Sequence, residues 1–341
     1  MSAGATGPDD PARAIDRIAV DTDFSGVVRV DHGDEIVFAR AYGAAHRACG
    51  RANTIDTQFA TASAAKGLTA LTIVSLVADD QLSLATTARS LLGSDLPLIP
   101  DDVTVEHLLA HRSGIGDYLD EDLEGEITDY VLTVPVHTLA TTEDYLRVID
   151  GFAPKFAAGE QFSYCNGGYV VLALMAERAT GIAFADLVEQ RVCGPAGMAD
   201  TAFLRSDELP ARAALGYLSA DGDRTNVFHL PVRGSGDGGI YSTVTDVHAL
   251  WRALFAGAIV PERWVAEMMR PRSDAPEDRK RYGLGFWLDE SCAVAILTGY
   301  DAGVSFRSAR DQRGRFTYTV ISNTSPGAWP IATHLGEVYA D

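Results

Sequence analysis

The stretch FATASAAKGLTALTIVSLV, residues 59–77, decides how this chain is read. It is an apolar run with a lysine, Lys66, in its first turns. Lysine is scarce here: of 28 basic residues only Lys66, Lys155 and Lys280 are lysines, and the rest are arginines. The spacing predicts a helix over "SAAKGLTALTIVSLVADDQLSL" with Ser63 at its start. On a helix, residues i and i+3 share a face, so Ser63 and Lys66 stand together. A serine there also has unpaired backbone N–H groups and the positive end of the helix dipole beside it. A hydroxyl is a poor nucleophile until a base takes its proton. An amine held among apolar neighbours, where its charged form is disfavoured, can be that base. The plain alternative is a chance Ser-x-x-Lys whose lysine stem reaches out to solvent.

Two further elements carry chemistry. In "GEQFSYCNGGYVVLALMAE", Tyr164 and Asn166 stand two apart before an apolar helix. In an extended turn such side chains point the same way. A tyrosine hydroxyl can pass a proton, and an asparagine amide can orient a lysine or a carbonyl. A helix cap and a core tyrosine explain the same residues. In "AILTGYDAGVSF", 295–306, a β-run reaches Leu297, Thr298 and Gly299 and turns at Asp301. Glycine admits close approach at a strand edge. The N–H groups of Tyr300 and Ser63 could then form an oxyanion hole. A simple hairpin is the alternative.

The three elements in this order resemble the serine hydrolases of the β-lactamase and penicillin-binding-protein superfamily, in particular the class C β-lactamase and esterase branch. That pattern runs S-x-x-K, then Y-x-N, then a (K/H)-(T/S)-G strand. "VTVEHLLAHRSGIGDY" and "SGDGGIYSTVTDVHAL" are similar to further segments of the same family. The resemblance runs from about residue 24 to the end and implies Ser63 as nucleophile, Lys66 and Tyr164 as proton-transfer partners, and Asn166 as an orienting group. It also implies Gly299 and Tyr300 at the oxyanion strand, and an acyl-enzyme released by water. How Lys66 and Tyr164 divide the base role is left open. This chemistry needs no cofactor and no metal.

One departure bears on the substrate. Leu297 stands where the family carries Lys or His, a cation that in relatives helps bind a substrate carboxylate. The stretch "DYLDEDLEGEITDY", 117–130, has seven acids, reads as a solvated loop or a frayed helix, and follows a segment that borders the cleft in relatives. Both features point to a neutral or cationic ester or small amide. A β-lactam or D-amino-acid peptide is the alternative substrate, with Arg307 as a replacement cation. A catalytically degenerate ligand-binding member is the alternative of another class, and Leu297 is its only support.

Composition sets the outer bounds. The formal charge of −19 excludes a nucleic-acid partner and disfavours an anionic membrane surface. The four cysteines form no CxxC pair. His107 and His111 lie at i and i+4 without the intervening glutamate of a zinc helix, and are read as core or loop-anchoring histidines. The aromatic residues Tyr118, Trp251, Trp287 and Trp329 could line a cleft, but each is read as core. No export signal or transmembrane run is legible, so the expectation is a soluble cytoplasmic protein.

The fold expectation is α/β (α+β). Strands at both ends of the chain build one antiparallel sheet, flanked by helices, with a mostly helical insertion. The expected organisation is a disordered leader over 1–13 and one catalytic domain over 14–341. Within it, 14–78 and 200–341 form the α/β region and 79–199 the helical region. Helices are expected over 103–115, 142–152, 167–181 and 184–198. "GGIYSTVTDVHALWRALFAG", 238–257, reads as a Gly-rich turn into another helix, with Thr245 or Asp246 as its N-cap.

Overall fold

The computed structural model describes residues 11–121 and 125–339. Strands from the two ends of the chain meet in one eight-stranded sheet. The strands are β1 (Gly26–His32), β2 (Glu35–Tyr42), β3 (Ser273–Ala275), β4 (Lys280–Tyr282), β5 (Trp287–Asp289), β6 (Val294–Asp301), β7 (Val304–Asp311) and β8 (Phe316–Ser322). Their spatial order is β2-β1-β8-β7-β6-β5-β4-β3, and every pairing is antiparallel. The N-terminal hairpin docks through β1 on β8, with Val28 opposite Val320. The expected mixed fold with one antiparallel sheet drawn from both termini is thus observed.

Side-chain alternation explains why both faces are covered. Along β6, Ala295 and Leu297 join one core while Ile296 joins the other. Along β8, Ile321 joins the first, and Tyr318 and Val320 the second. Helices α1 (Pro11–Asp21) and α5 (Ala328–Val338) cover the second face through Ile15, Ala19, Ile331 and Leu335. Between them in sequence come α2 (Ala65–Ala78), α3 (Asn166–Thr180) and α4 (Val244–Phe255), which belong to the first core. Every residue of α2 from Ala65 to Val77 is buried. That is why its sequence is apolar on all sides rather than striped. No described helix is long and apolar enough to cross a membrane.

Several elements depart from the sequence expectations for local reasons. Residues 1–10 of the expected leader lie outside the described residues, and Pro11–Arg13 already open α1. The helix expected over 103–115 is only Val105–Leu109, because His111 takes a positive φ of 53° and turns the chain. The segment 142–152 splits into a 3₁₀ turn, Thr142–Tyr145, and a single α-turn, Leu146–Ile149. The cap of α4 is Thr243, whose side chain accepts the Asp246 N–H, and not Thr245 or Asp246.

Candidate active site

The chain enters the site along a short strand, Phe59–Ala60, paired with Tyr241–Ser242. Thr61 donates its N–H to Ile240 O at 2.9 Å, and Ala62 then adopts a φ of +46°. Such a conformation is rare outside glycine and is sustained only where the surroundings impose it. A 3₁₀ turn over Ala62–Ala64 follows and runs into α2. This kink puts Ser63 one turn below Lys66, at the mouth of the helix.

Lys66 is only 2% exposed, yet all of its polar capacity is used. Nζ donates to Ser63 Oγ at 2.9 Å, to Asn166 Oδ1 at 2.8 Å and to the Asp237 carbonyl at 2.7 Å. Three acceptors match the three N–H groups of an ammonium. The rings of Tyr164 and Tyr169 add faces at 4.9 and 5.8 Å. One turn on, Thr69 Oγ1 donates to Gly236 O at 2.6 Å, so the same face of α2 reads the backbone of 236–237 twice.

The Tyr164 phenol faces Ser63 and feels its hydroxyl. Its phenol is pushed well above its ordinary 10 by burial and by the nearby Glu121, with the Ser63 hydroxyl opposing. Its backbone is clamped on both sides by His111. Ser163 N–H donates to the His111 carbonyl and Cys165 N–H to His111 Nδ1, both at 3.0 Å. The imidazole lies 4.2 Å from the Tyr164 ring. Burial, with Lys66 adding to it, pushes His111 well below its ordinary 6.5. The expectation of a loop-anchoring histidine is realised at His111. At His107, Nδ1 accepts the Thr104 N–H within the cap of the Val105–Leu109 helix.

Asn166 is the first residue of α3, and both ends of its amide are engaged. Oδ1 accepts from Lys66, and Nδ2 donates to Leu119 O at 2.9 Å and to Glu121 Oε1 at 3.2 Å. The acidic stretch is therefore not simply a solvated loop at its start. Asp117 is buried and accepts the Asn166 and Gly167 N–H groups. It satisfies orphan donors at the N-terminus of α3 from across the chain. Burial raises its carboxyl to about 6 against those bonds. Tyr118 donates to Asp237 Oδ2. Residues 122–124 of the stretch lie outside the described residues.

The third element is the edge of β6. Strand β5 pairs with β6 only at Ala295 and Ile296. From Leu297 onward that edge faces the Ser63 turn instead. Asp301 pairs with Val304 around a two-residue turn, so Tyr300 and Ser305 form a pair of the other kind. In an antiparallel ladder the alternate residues aim their N–H away from the partner, so the Tyr300 N–H points toward the Ser63 turn. Gly299 fits tightly there: a Cβ on it would lie 2.1 Å from Thr61 O and 3.1 Å from Ser63 N.

Leu297 lies differently from the position expected of a substrate-binding side chain. It is 4% exposed and faces α2, where a Cβ on Gly67 would meet its Cδ2 at 2.5 Å. It forms the floor beneath Ser63 and not a wall of the cleft. Arg307, across from Thr298 on β7, donates Nε to Thr298 Oγ1 at 3.4 Å and lies 5.7 Å from the Trp329 ring. Of the aromatic residues read as core, Trp251 is core, with Nε1 bonded to Ser308 Oγ at 2.8 Å. Trp287 stacks on Tyr164 at 5.9 Å, and Tyr118 enters the site through Asp237.

A cleft opens beside Ala62 and Gly238. A Cβ on Gly238 would come within 3.9 Å of Ser63 N, so the cleft adjoins the serine backbone. Asp237, Asp301 and Tyr118 lie in its wall. Ala62, Asp117 and Asp237 escaped the sequence reading. Asp237 acts on Lys66 through a backbone carbonyl, which any residue could supply. Asp117 finds its partners 49 and 50 residues away. Among the described residues no group of three or more His, Cys, Asp and Glu stands close enough to hold a metal ion.

Comparison with known proteins agrees with this geometry. The Beta-lactamase family model matches residues 12–330. Esterase EstB of Burkholderia gladioli is 30% identical over 285 residues, covering 75% of this chain and 71% of that protein. Penicillin-binding protein 4* of Bacillus subtilis is 26% identical over 302 residues, covering 82% of this chain. The match spans 63% of that relative's own length. The crystal structure of a penicillin-binding protein from Bacillus halodurans superimposes with a TM-score of 0.89 at 33% identity, covering 95% of this chain and all of that one. The chain belongs to the β-lactamase family of serine hydrolases.

Proposed function

We propose that this member of the β-lactamase family hydrolyses a neutral or cationic ester or small amide through a covalent acyl-enzyme on Ser63. The observation that carries the reading is Lys66: a buried amine 2.9 Å from Ser63 Oγ, ringed by acceptors. In the first step Ser63 Oγ attacks the carbonyl carbon and its proton passes to Lys66 in the amine form. Asn166 Oδ1, the Asp237 carbonyl and Ser63 Oγ then accept from the ammonium that results. These acceptors are preformed for the charge that develops, which is where electrostatic stabilisation lowers a barrier.

Burial disfavours a Tyr164 phenolate, so its role is that of a neutral relay. It gives its proton to the departing oxygen or nitrogen and recovers one from Lys66. The bond from carbonyl carbon to leaving group breaks as the acyl-enzyme forms. Water then attacks, with the same groups moving its proton to release Ser63. The Ser63 and Tyr300 N–H groups would hold the oxyanion. The site residues present call for no cofactor and no metal in this sequence of steps.

Gly299→Ala tests the oxyanion edge. The new methyl has no room against Thr61 O, so β6 must retreat from Ser63. A displacement of about 1 Å at a reacting centre costs on the order of a hundredfold. The expected result is a fall of about that size in kcat for p-nitrophenyl butyrate, with a smaller change in KM. An unchanged kcat in a folded variant would remove Tyr300 from the reading.

Substrate choice rests on the absence of a cation at position 297. The leucine that stands there is buried against Gly67 and presents no charge to a substrate carboxylate. EstB is named an esterase, which supports the ester reading. A second reading, a β-lactam or D-amino-acid peptide, is favoured by Arg307 at Thr298. Steady-state hydrolysis of p-nitrophenyl butyrate against a chromogenic cephalosporin separates them. The expected outcome is a kcat/KM at least about tenfold higher for the ester, equivalent to about 1.4 kcal/mol. The reverse order would favour the second reading.

A further inference from the structure

We propose that the cleft beside Ser63 selects substrates whose acyl part carries a permanent or protonated amine, with Asp301 as the specificity-determining residue. The proposal deepens the hydrolase reading and rests on it. A carbonyl oxygen seated between the Ser63 and Tyr300 N–H groups must present its leaving group to Lys66 and Tyr164, which supply the proton. Neither of those two side chains lines the cleft, which reaches the serine turn through Ala62 and Gly238 and the end of β6 through Asp301. The remaining substituent of the carbonyl, the acyl chain, therefore points into that cleft.

Its wall has a definite chemistry. Two carboxylates enter from separate elements, Asp301 from the end of β6 and Asp237 from the loop before the Tyr241–Ser242 strand. Tyr118, Tyr145 and Tyr241 supply aromatic walls, and among the described residues no lysine, arginine or histidine lines the space. Asp237 already accepts from Tyr118. Among the described residues, the Asp301 carboxyl takes only the N–H of its neighbour Ala302, at 2.8 Å. A carboxylate backed by aromatic faces in a partly dehydrated cleft is the surroundings in which an ammonium binds and an anion does not.

Asp301 is turned toward a charged neighbourhood, and its ionisation responds to it. Burial, with Asp237 and Glu121 nearby, raises its carboxyl to about 7, while Lys66 opposes the shift. Tyr130, Tyr145 and Tyr300 also face it. Below about 7 the group is protonated and neutral, and above it the group is a carboxylate. Attraction for a permanent cation therefore grows as pH rises through that value, and a neutral substrate gains nothing from the change.

The test uses the full chain and two esters of one shape. One is the p-nitrophenyl ester of γ-trimethylammonio-butyrate. The other is its carbon isostere, with tert-butyl in place of the trimethylammonio group. Each kcat/KM is divided by the spontaneous hydrolysis rate of the same ester. The expected ratio, charged over neutral, is about tenfold or more and rises between pH 6 and 8. Asp301→Asn should collapse the ratio toward one and flatten its pH dependence. A wild-type ratio near one overturns the proposal, whatever the variant does. So does a ratio that Asp301→Asn leaves untouched. If neither ester is cleaved and no acyl adduct forms, the hydrolase reading itself has failed. If both are cleaved through Ser63 at equal normalised rates, only the cation preference has.

Discussion

Replacing Ser63 by alanine is expected to lower kcat/KM for p-nitrophenyl butyrate by at least about a thousandfold, with the fold intact. The reasoning starts from what the substitution removes. Only a hydroxyl goes, at the start of a helix whose interior is packed by Leu68, Leu71, Val74 and other side chains that do not touch it. Ser63 itself is partly exposed, so the core loses little. The chemistry loses its nucleophile. In serine hydrolases, removal of one member of a concerted set costs about as much as removal of the whole set, and residual rates come from oxyanion and binding terms. The measurement is steady-state hydrolysis by both proteins, with circular dichroism to show that both are folded. Equal activity would remove Ser63 from the mechanism.

Lys66→Met is expected to cost about as much, again on the order of a thousandfold or more in kcat. Methionine keeps the length and apolar stem but cannot take or hold a proton. It also leaves Asn166 Oδ1 and the Asp237 carbonyl without their lysine donor. That second loss predicts lower stability, by about 1–3 kcal/mol for buried groups left unpaired. Lys66→Arg separates the two effects. A guanidinium can donate to the same acceptors and is always charged, so it should restore part of the stability and none of the turnover. Recovery of kcat in Lys66→Arg would show that Lys66 acts only as a fixed positive charge.

The parts of the site that were legible in the sequence are those with a local signature. Ser63 and Lys66 share a helix face by spacing alone. Tyr164 and Asn166 sit where an extended turn meets a helix. Gly299 marks a close approach that the structure locates at Thr61. The antiparallel sheet was legible because its strands are consecutive runs near the ends of the chain, and each turn between the last of them is short.

What escaped the sequence did so for physical reasons. The Asp237 carbonyl could not be found because a backbone acceptor has no residue signature. The inward turn of Asp117 is set by orphan donors on a helix far along the chain, and its sequence setting of acids suggested solvent. Strand parity already put Leu297 on the same side as Gly299, toward α2. The family pattern drew attention to its lost charge instead of its direction. The helix over 103–115 was overextended because its pattern stays apolar while the backbone of His111 leaves the helical region.

The most direct test of the account is to locate the covalent bond. The protein is treated with a fluorophosphonate ester, digested, and the modified peptide is identified by mass spectrometry. The account predicts one equivalent of adduct, on Ser63, formed at the rate at which ester hydrolysis is lost. A folded and active protein that takes up no adduct, or carries it on any other residue, would contradict it.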